Sequence, residues 1–134
     1  MNWPDADAIR YLDRGDLINL NDSVTGDVMI RDLHLLDSAV ARPRLCLFGQ
    51  PQFPTLADKA AALLHSLAYH HLFVDGNKRT AILAVRLFAA RNGLRFVYDA
   101  ADPADFAFVL EIAQGLHDPE AIAAWLSDRL VPGP

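Results

Sequence analysis

The sequence predicts an all-α fold: a compact bundle of about six helices with one short hairpin as its candidate sheet. Three observations carry this. Apolar residues recur at spacings of three and four along most of the chain. Helix-start signals precede those runs, at Asp32, Thr55 with Asp58, Asp102-Pro103 and Asp118-Pro119. The main stretch that favours strand, residues 44 to 55, is interrupted by prolines and suits only an edge. At 134 residues, 52% apolar and 22% charged, the chain is expected to form one domain over 1–134, with a core that needs no disulfide or metal.

Taken in order, residues 4 to 15 are expected to be helical. Pro4 suits the first turn, Asp5 and Asp7 suit its positive end, Ile9 and Leu12 share a face, and Gly15 stops it. Residues 19 to 31 mix turn formers with few apolar groups and read as loop. Asp32 caps a helix to about Arg42, with Leu33, Leu36 and Val40 on one face and Pro43 as its end. Leu45, Leu47 and Phe48 lead to Gly49, a pattern for a short hairpin or flap whose edge can pair with a peptide backbone; an ordinary surface loop fits the composition equally.

Thr55 and Asp58 form a capping-box pattern for a helix to about Leu72, with Leu56, Ala60, Leu63, Leu64, Leu67, Ala68 and His71 on its apolar face. Asp75 or Asn77 caps the next helix, to about Asn92, which is apolar nearly all round and is expected to be the buried centre. Arg95 to Tyr98 reads as a short extended linker. Of the last two helices, the first presents Phe106, Val109, Leu110 and Ala113, the second Ile122, Trp125, Leu126 and Leu130. The terminal VPGP reads as a frayed tail.

Cys46 is the only cysteine, which excludes an internal disulfide and fits a reducing compartment. The first residues lack a signal-peptide pattern, and no apolar run reaches the ~18 residues of a membrane span, so a cytoplasmic protein is expected. A net charge of -5 argues against general nucleic-acid binding.

The chemistry is concentrated in HLFVDGNKRT, residues 71 to 80. A helix N-terminus near Asn77 offers unpaired N–H groups, Gly76 lets backbone approach a ligand, and Lys78 and Arg79 add charge. That is an anion site, with phosphate as its usual occupant. Asp75 beside it is a hard oxygen ligand suited to Mg²⁺. His71 is the group suited to general-base work near neutrality. Together they describe phosphoryl or nucleotidyl transfer to a hydroxyl. Taken singly each has a plainer role: a histidine on a helix dipole, a capping acid or amide, two solvated cations. His70 is expected to face elsewhere, and His65, His70 and His71 lack metal-site spacing. No P-loop, dinucleotide fingerprint or hydrolase elbow is present.

HLFVDGNKRT resembles the signature loop of the Fic/Doc superfamily, and more closely that of its Doc (death-on-curing) branch. The general pattern is His-x-Phe-x-Asp/Glu-Gly-Asn-Gly-Arg-x-x-Arg. His71, Phe73, Asp75, Gly76, Asn77 and Arg79 match it. Lys78 replaces the second glycine and Ile82 the second arginine, as in Doc toxins. The resemblance covers roughly residues 30 to 95 and implies a Fic/Doc-like fold.

It also implies roles: His71 as base, Asp75 as the Mg²⁺ ligand, and Gly76, Asn77, Lys78 and Arg79 as anchors for the phosphates of ATP. Fic enzymes transfer AMP to protein hydroxyls. Doc toxins are protein kinases that phosphorylate a threonine of elongation factor Tu and halt translation. A cognate antitoxin and a translation factor are therefore the implied partners, and the 44–54 loop the implied substrate flap. The alternatives are a nucleotidyltransferase and a non-enzymatic interaction module of the same fold. The self-inhibitory pattern of many Fic proteins, Ser/Thr-x-x-x-Glu-Gly/Asn, is missing, so control is expected from another molecule.

Overall fold

The computed structural model describes residues 8–133. Helices α1 (Arg14–Thr25), α2 (Leu33–Ala41), α3 (Leu56–Tyr69), α4 (Asn77–Arg91), α5 (Pro103–Ala113) and α6 (Pro119–Ser127) form the bundle. A 3₁₀ turn, Arg42–Arg44, extends α2. Strands β1 (Cys46–Leu47) and β2 (Gln50–Pro51) make the expected hairpin. Strands β3 (Leu94–Phe96) and β4 (Leu130–Pro132) form a second antiparallel pair. The all-α expectation holds.

The start of the chain differs from expectation. Pro4, Asp5 and Asp7 lie outside the described residues, and residues 9–13 are not helical. The helix begins at Arg14 because Asp13 and Asp16 form a reciprocal capping box; Gly15 sits inside its first turn and stops nothing. The helix then runs through most of what reads as loop, to Gly26 at φ 71°. Leu17 and Asn21 are buried, and this packing overrides the weak helix propensity of the Asn, Asp, Ser and Thr around them.

The centre of the bundle is α3, not α4. Nine of its fourteen residues are buried, and it touches α2, α4, α5 and α6. Both halves of its Thr55–Asp58 box form, at 3.0 and 3.2 Å. α4 buries seven of fifteen residues and leaves Arg86 and Ala90 in solvent, so it is one-sided. α5 is rotated from its expected face: Val109 and Ile112 enter the core, while Phe106 and Leu110 are exposed. Asp105, 4% exposed, explains the rotation, since Arg129 pairs with it at 2.7 Å and the Asp99 N–H donates to it.

Of the terminal VPGP, Val131 to Gly133 are not frayed, and Pro134 lies outside the described residues. Leu94 pairs with Pro132, Arg95 with Val131 and Phe96 with Leu130, and the Gly133 N–H donates to the Gly93 carbonyl. The linker after α4 becomes a strand because it has this partner. No helix among the described residues is long and apolar enough to cross a membrane.

Candidate active site

The connection from α3 to α4 carries the candidate residues, and three clamps hold it. α3 ends at Tyr69 with His70 as its cap, so His71 lies beyond the helix rather than in its last turn. His71 adopts φ 50°, a left-handed conformation uncommon outside glycine, and is exposed. Leu72 and Phe73, 0% and 1% exposed, then dive into the core. The Leu72 carbonyl accepts the Arg31 and Asp32 N–H groups, and the Val74 N–H donates to Met29. This pairing replaces the last helical turn that the apolar pattern suggests.

The second clamp is Asn77. Its side-chain oxygen accepts the Phe73 N–H at 3.0 Å and its amide donates to the Phe73 carbonyl at 2.8 Å. Asn77 is thus the first residue of α4, and Gly76 is the N-cap at φ 77° with no side-chain cap. Neither Asp75 nor Asn77 caps the helix. The first intrahelical bond is Thr80 N–H to the Gly76 carbonyl, so the Asn77, Lys78 and Arg79 N–H groups precede the ladder at the positive end of the helix.

The third clamp comes from α1, in the stretch that reads as loop. Asn21, 1% exposed, donates to the Asp75 carbonyl at 2.9 Å and to the Thr80 hydroxyl at 3.1 Å. A Cβ on Gly76 would lie 2.8 Å from Thr25 Cγ2, so close approach of α1 requires glycine there as well as its positive φ. Sequence reading missed Asn21. The available signal was the Asp13–Asp16 box followed by Leu17, Leu20, Asn21 and Val24 at helical spacing.

His71, Asp75, Lys78 and Arg79 are all exposed on this loop and the first turn of α4. Among the described residues, no acid forms an ion pair with Lys78 or Arg79. Asp75 Oδ1 accepts the Gly76 N–H at 2.8 Å. A single exposed carboxylate suits a Mg²⁺ ion held mainly by phosphate oxygens and water. The Asn77 side chain faces Phe73, which leaves its backbone N–H for an anion. No group of three or more potential metal ligands occurs among the described residues.

Lys78, Arg79 and Ile82 also line a groove of about 460 Å³ between α1, α4 and α5. Its far wall is Phe106 and Leu110, the side chains left facing outward by the rotation of α5, with the edge of the core residue Val109 between them. His71 and Asp75 are not part of its lining. The groove is mostly apolar, with Lys78 and Arg79 where it meets the loop and Arg86 further along α4.

An exposed loop histidine and a neighbouring carboxylate thus stand beside a helix N-terminus that has no side-chain cap and carries two cations in its first turn, an arrangement suited to an anion. The Fic/DOC family profile matches residues 11–89. A curated protein described as Toxin Doc, from Mycolicibacterium smegmatis, is 42% identical over 118 residues, covering 87% of this chain and 91% of the relative. The chain belongs to the Fic/DOC family.

Proposed function

We propose that this chain is the toxin of a toxin–antitoxin pair and an ATP-dependent protein kinase. Its acceptor is a Ser or Thr hydroxyl of a translation factor like elongation factor Tu, so it blocks translation in the cytoplasm. The toxin assignment is supported by the relative described as Toxin Doc, which this chain matches over nearly its whole length. The observation that carries the choice of kinase is the pair Lys78 and Ile82. Lys78 puts a cation at the phosphate site, and Ile82 makes the adjoining groove floor apolar where a second arginine would have been charged. Both changes favour an ATP pose that presents the γ-phosphoryl rather than the α-phosphoryl.

In this reading the α4 N-terminus, Lys78 and Arg79 bind the phosphates, and Asp75 holds Mg²⁺, which neutralises charge on them. The acceptor oxygen bonds to the γ-phosphorus as the bond to the bridging oxygen breaks. ADP leaves, and the hydroxyl proton goes to His71. Fixed geometry matters because positioning supplies most of the rate in such transfers. An antitoxin segment lying in the groove would cover Lys78 and Arg79, which gives neutralisation a physical route.

The test is a pair of incubations with bacterial lysate, one with ATP labelled at the γ-phosphate and one at the α-phosphate. Label on a protein from γ alone supports the kinase. Label from α assigns AMP transfer instead. No label from either, with folded protein, leaves only an interaction module.

A further inference from the structure

A second cavity, of about 390 Å³, lies between α2 and α3 at the base of the hairpin. Leu35, Ala39, Ala41 and Leu45 form its apolar wall, and Arg42 and His70 its polar one. The Arg42 guanidinium is half-buried, and its two side-chain bonds both leave from Nη1, to His65 Nδ1 at 2.9 Å and Ser66 Oγ at 3.0 Å. Both partners are uncharged. His65 accepts this bond, and burial, with Arg42 and His70 nearby, holds its ring down to about 4, against the pull of Asp118. Among the described residues no carboxylate pairs with Arg42.

The Nε and Nη2 groups of Arg42 have no partner among the described residues, and no buried side-chain N or O atom there lacks one, so these donors are open to the cavity and solvent. The guanidinium carbon lies 5.5 Å from the centroid of the Phe53 ring, which partly offsets its charge, but its Nε–Nη2 edge is unengaged and has no counter-charge, so it favours an anion. Two oxygens of a carboxylate match that edge, and the apolar wall accepts the methylene stem of an acidic side chain. One guanidinium balances one carboxylate and leaves a phosphate under-neutralised.

The location ties the cavity to the acceptor. His70 lines it and His71 is the next residue; Leu45 lines it and opens the hairpin. The cavity therefore borders both the start of the hairpin and the residue before His71. We propose that the cavity receives an Asp or Glu side chain of the acceptor protein, with Arg42 as its counter-charge. The proposal rests on the protein-modifying reading above and adds a sequence requirement on the acceptor.

The experiment has a binding arm and a transfer arm. In the first, the full chain is titrated with sodium propionate, and with propionamide as the uncharged control, while the His65 and His70 ring resonances are followed by NMR. Saturable shifts with propionate and none with propionamide are expected. Arg42→Gln should remove them. Because Arg42 also ties α2 to α3, Ser38→Glu provides an independent check. It places a carboxylate one turn before Arg42, in the favourable i to i+4 order, and should fill the site from within without disturbing the fold.

In the second arm, labelling of the lysate acceptor at limiting lysate should fall about tenfold in either variant and recover at excess lysate, with the KM for ATP unmoved. Equal shifts from propionate and propionamide, or wild-type shifts in both variants, overturn the site. Propionate binding with unchanged acceptor labelling overturns the acceptor as its source. Loss of all transfer in the wild-type protein, with propionate binding intact, instead refutes the enzymatic reading, and the acceptor assignment falls with it.

Discussion

The side-chain amide of Asn77 grips both polar groups of the Phe73 backbone, accepting its N–H at 3.0 Å and donating to its carbonyl at 2.8 Å. Phe73 is 1% exposed, so the clamp joins the reactive loop to the core at one fixed point. Removing it leaves two backbone groups short of partners. Asn77→Ala is predicted to destabilise the protein by about 2 kcal/mol and to speed hydrogen exchange at the Phe73 amide. Urea unfolding and exchange rates check this; wild-type values in both would show the clamp to be dispensable.

Gly76 is predicted to resist substitution for two separable reasons. Gly76→Ala forces a Cβ onto a residue at φ 77° and to within 2.8 Å of Thr25 Cγ2. A loss of about 1–3 kcal/mol is expected. Thr25→Ser removes the methyl and keeps the hydroxyl, so the double variant should recover the steric part and not the backbone part. Full recovery, or none, in thermal unfolding contradicts this division.

His71→Ala is predicted to abolish transfer while ATP binding largely survives. The ring is exposed and lies outside the groove, so its loss removes a proton acceptor rather than a phosphate anchor. Turnover in γ-labelled transfer, set beside ATP affinity by calorimetry, decides the matter. Unchanged turnover removes His71 as the base.

Lys78→Gly is predicted to weaken γ-phosphoryl transfer and to permit some AMP transfer, because it clears the position and removes one of two cations at the α4 N-terminus. Transfer from α- and γ-labelled ATP gives the ratio. An undiminished kinase rate would deny Lys78 its role.

Acid should loosen the attachment of α1 to α4. Two bonds from the Arg91 guanidinium, at 2.7 Å each, together with the Asp13 cap, hold the Asp16 carboxyl at about 2, below its ordinary 3.8. A carboxyl depressed on folding stabilises the folded state fully above about pH 4, and that contribution is lost as pH falls through about 2. Thermal midpoints should therefore fall from pH 4 to 2, and Asp16→Asn should lower the midpoint at pH 7 and flatten that slope. An Asn variant with the wild-type slope would assign the acid sensitivity elsewhere.

Much of the fold was legible where local chemistry decides it. Asp32, Thr55, Asp102 and Asp118 each accept the N-terminal helix bond that their residue types suggest. The hairpin was legible from Gly49 and its flanking residues. The opposite happened at α1, where Asn, Asp, Ser and Thr read as loop and core contacts at Leu17 and Asn21 overrode them. β3 and β4 were illegible because each exists only by pairing with the other, across the whole α5–α6 excursion.

The sequence by itself determined which groups could do chemistry: HLFVDGNKRT names a histidine, a carboxylate, a glycine and two cations, and residue type sets what each can bind or accept. Tertiary structure decided how they are held. It took His71 off the end of α3, turned the Asn77 amide toward Phe73, and set Asn21 from a distant helix under Asp75. It also turned Phe106 and Leu110 outward to face Lys78 and Arg79 across one groove. The division has a physical reason. Caps and turns involve groups within a few residues of each other, whereas the clamps on this loop form only after the core has brought remote segments together.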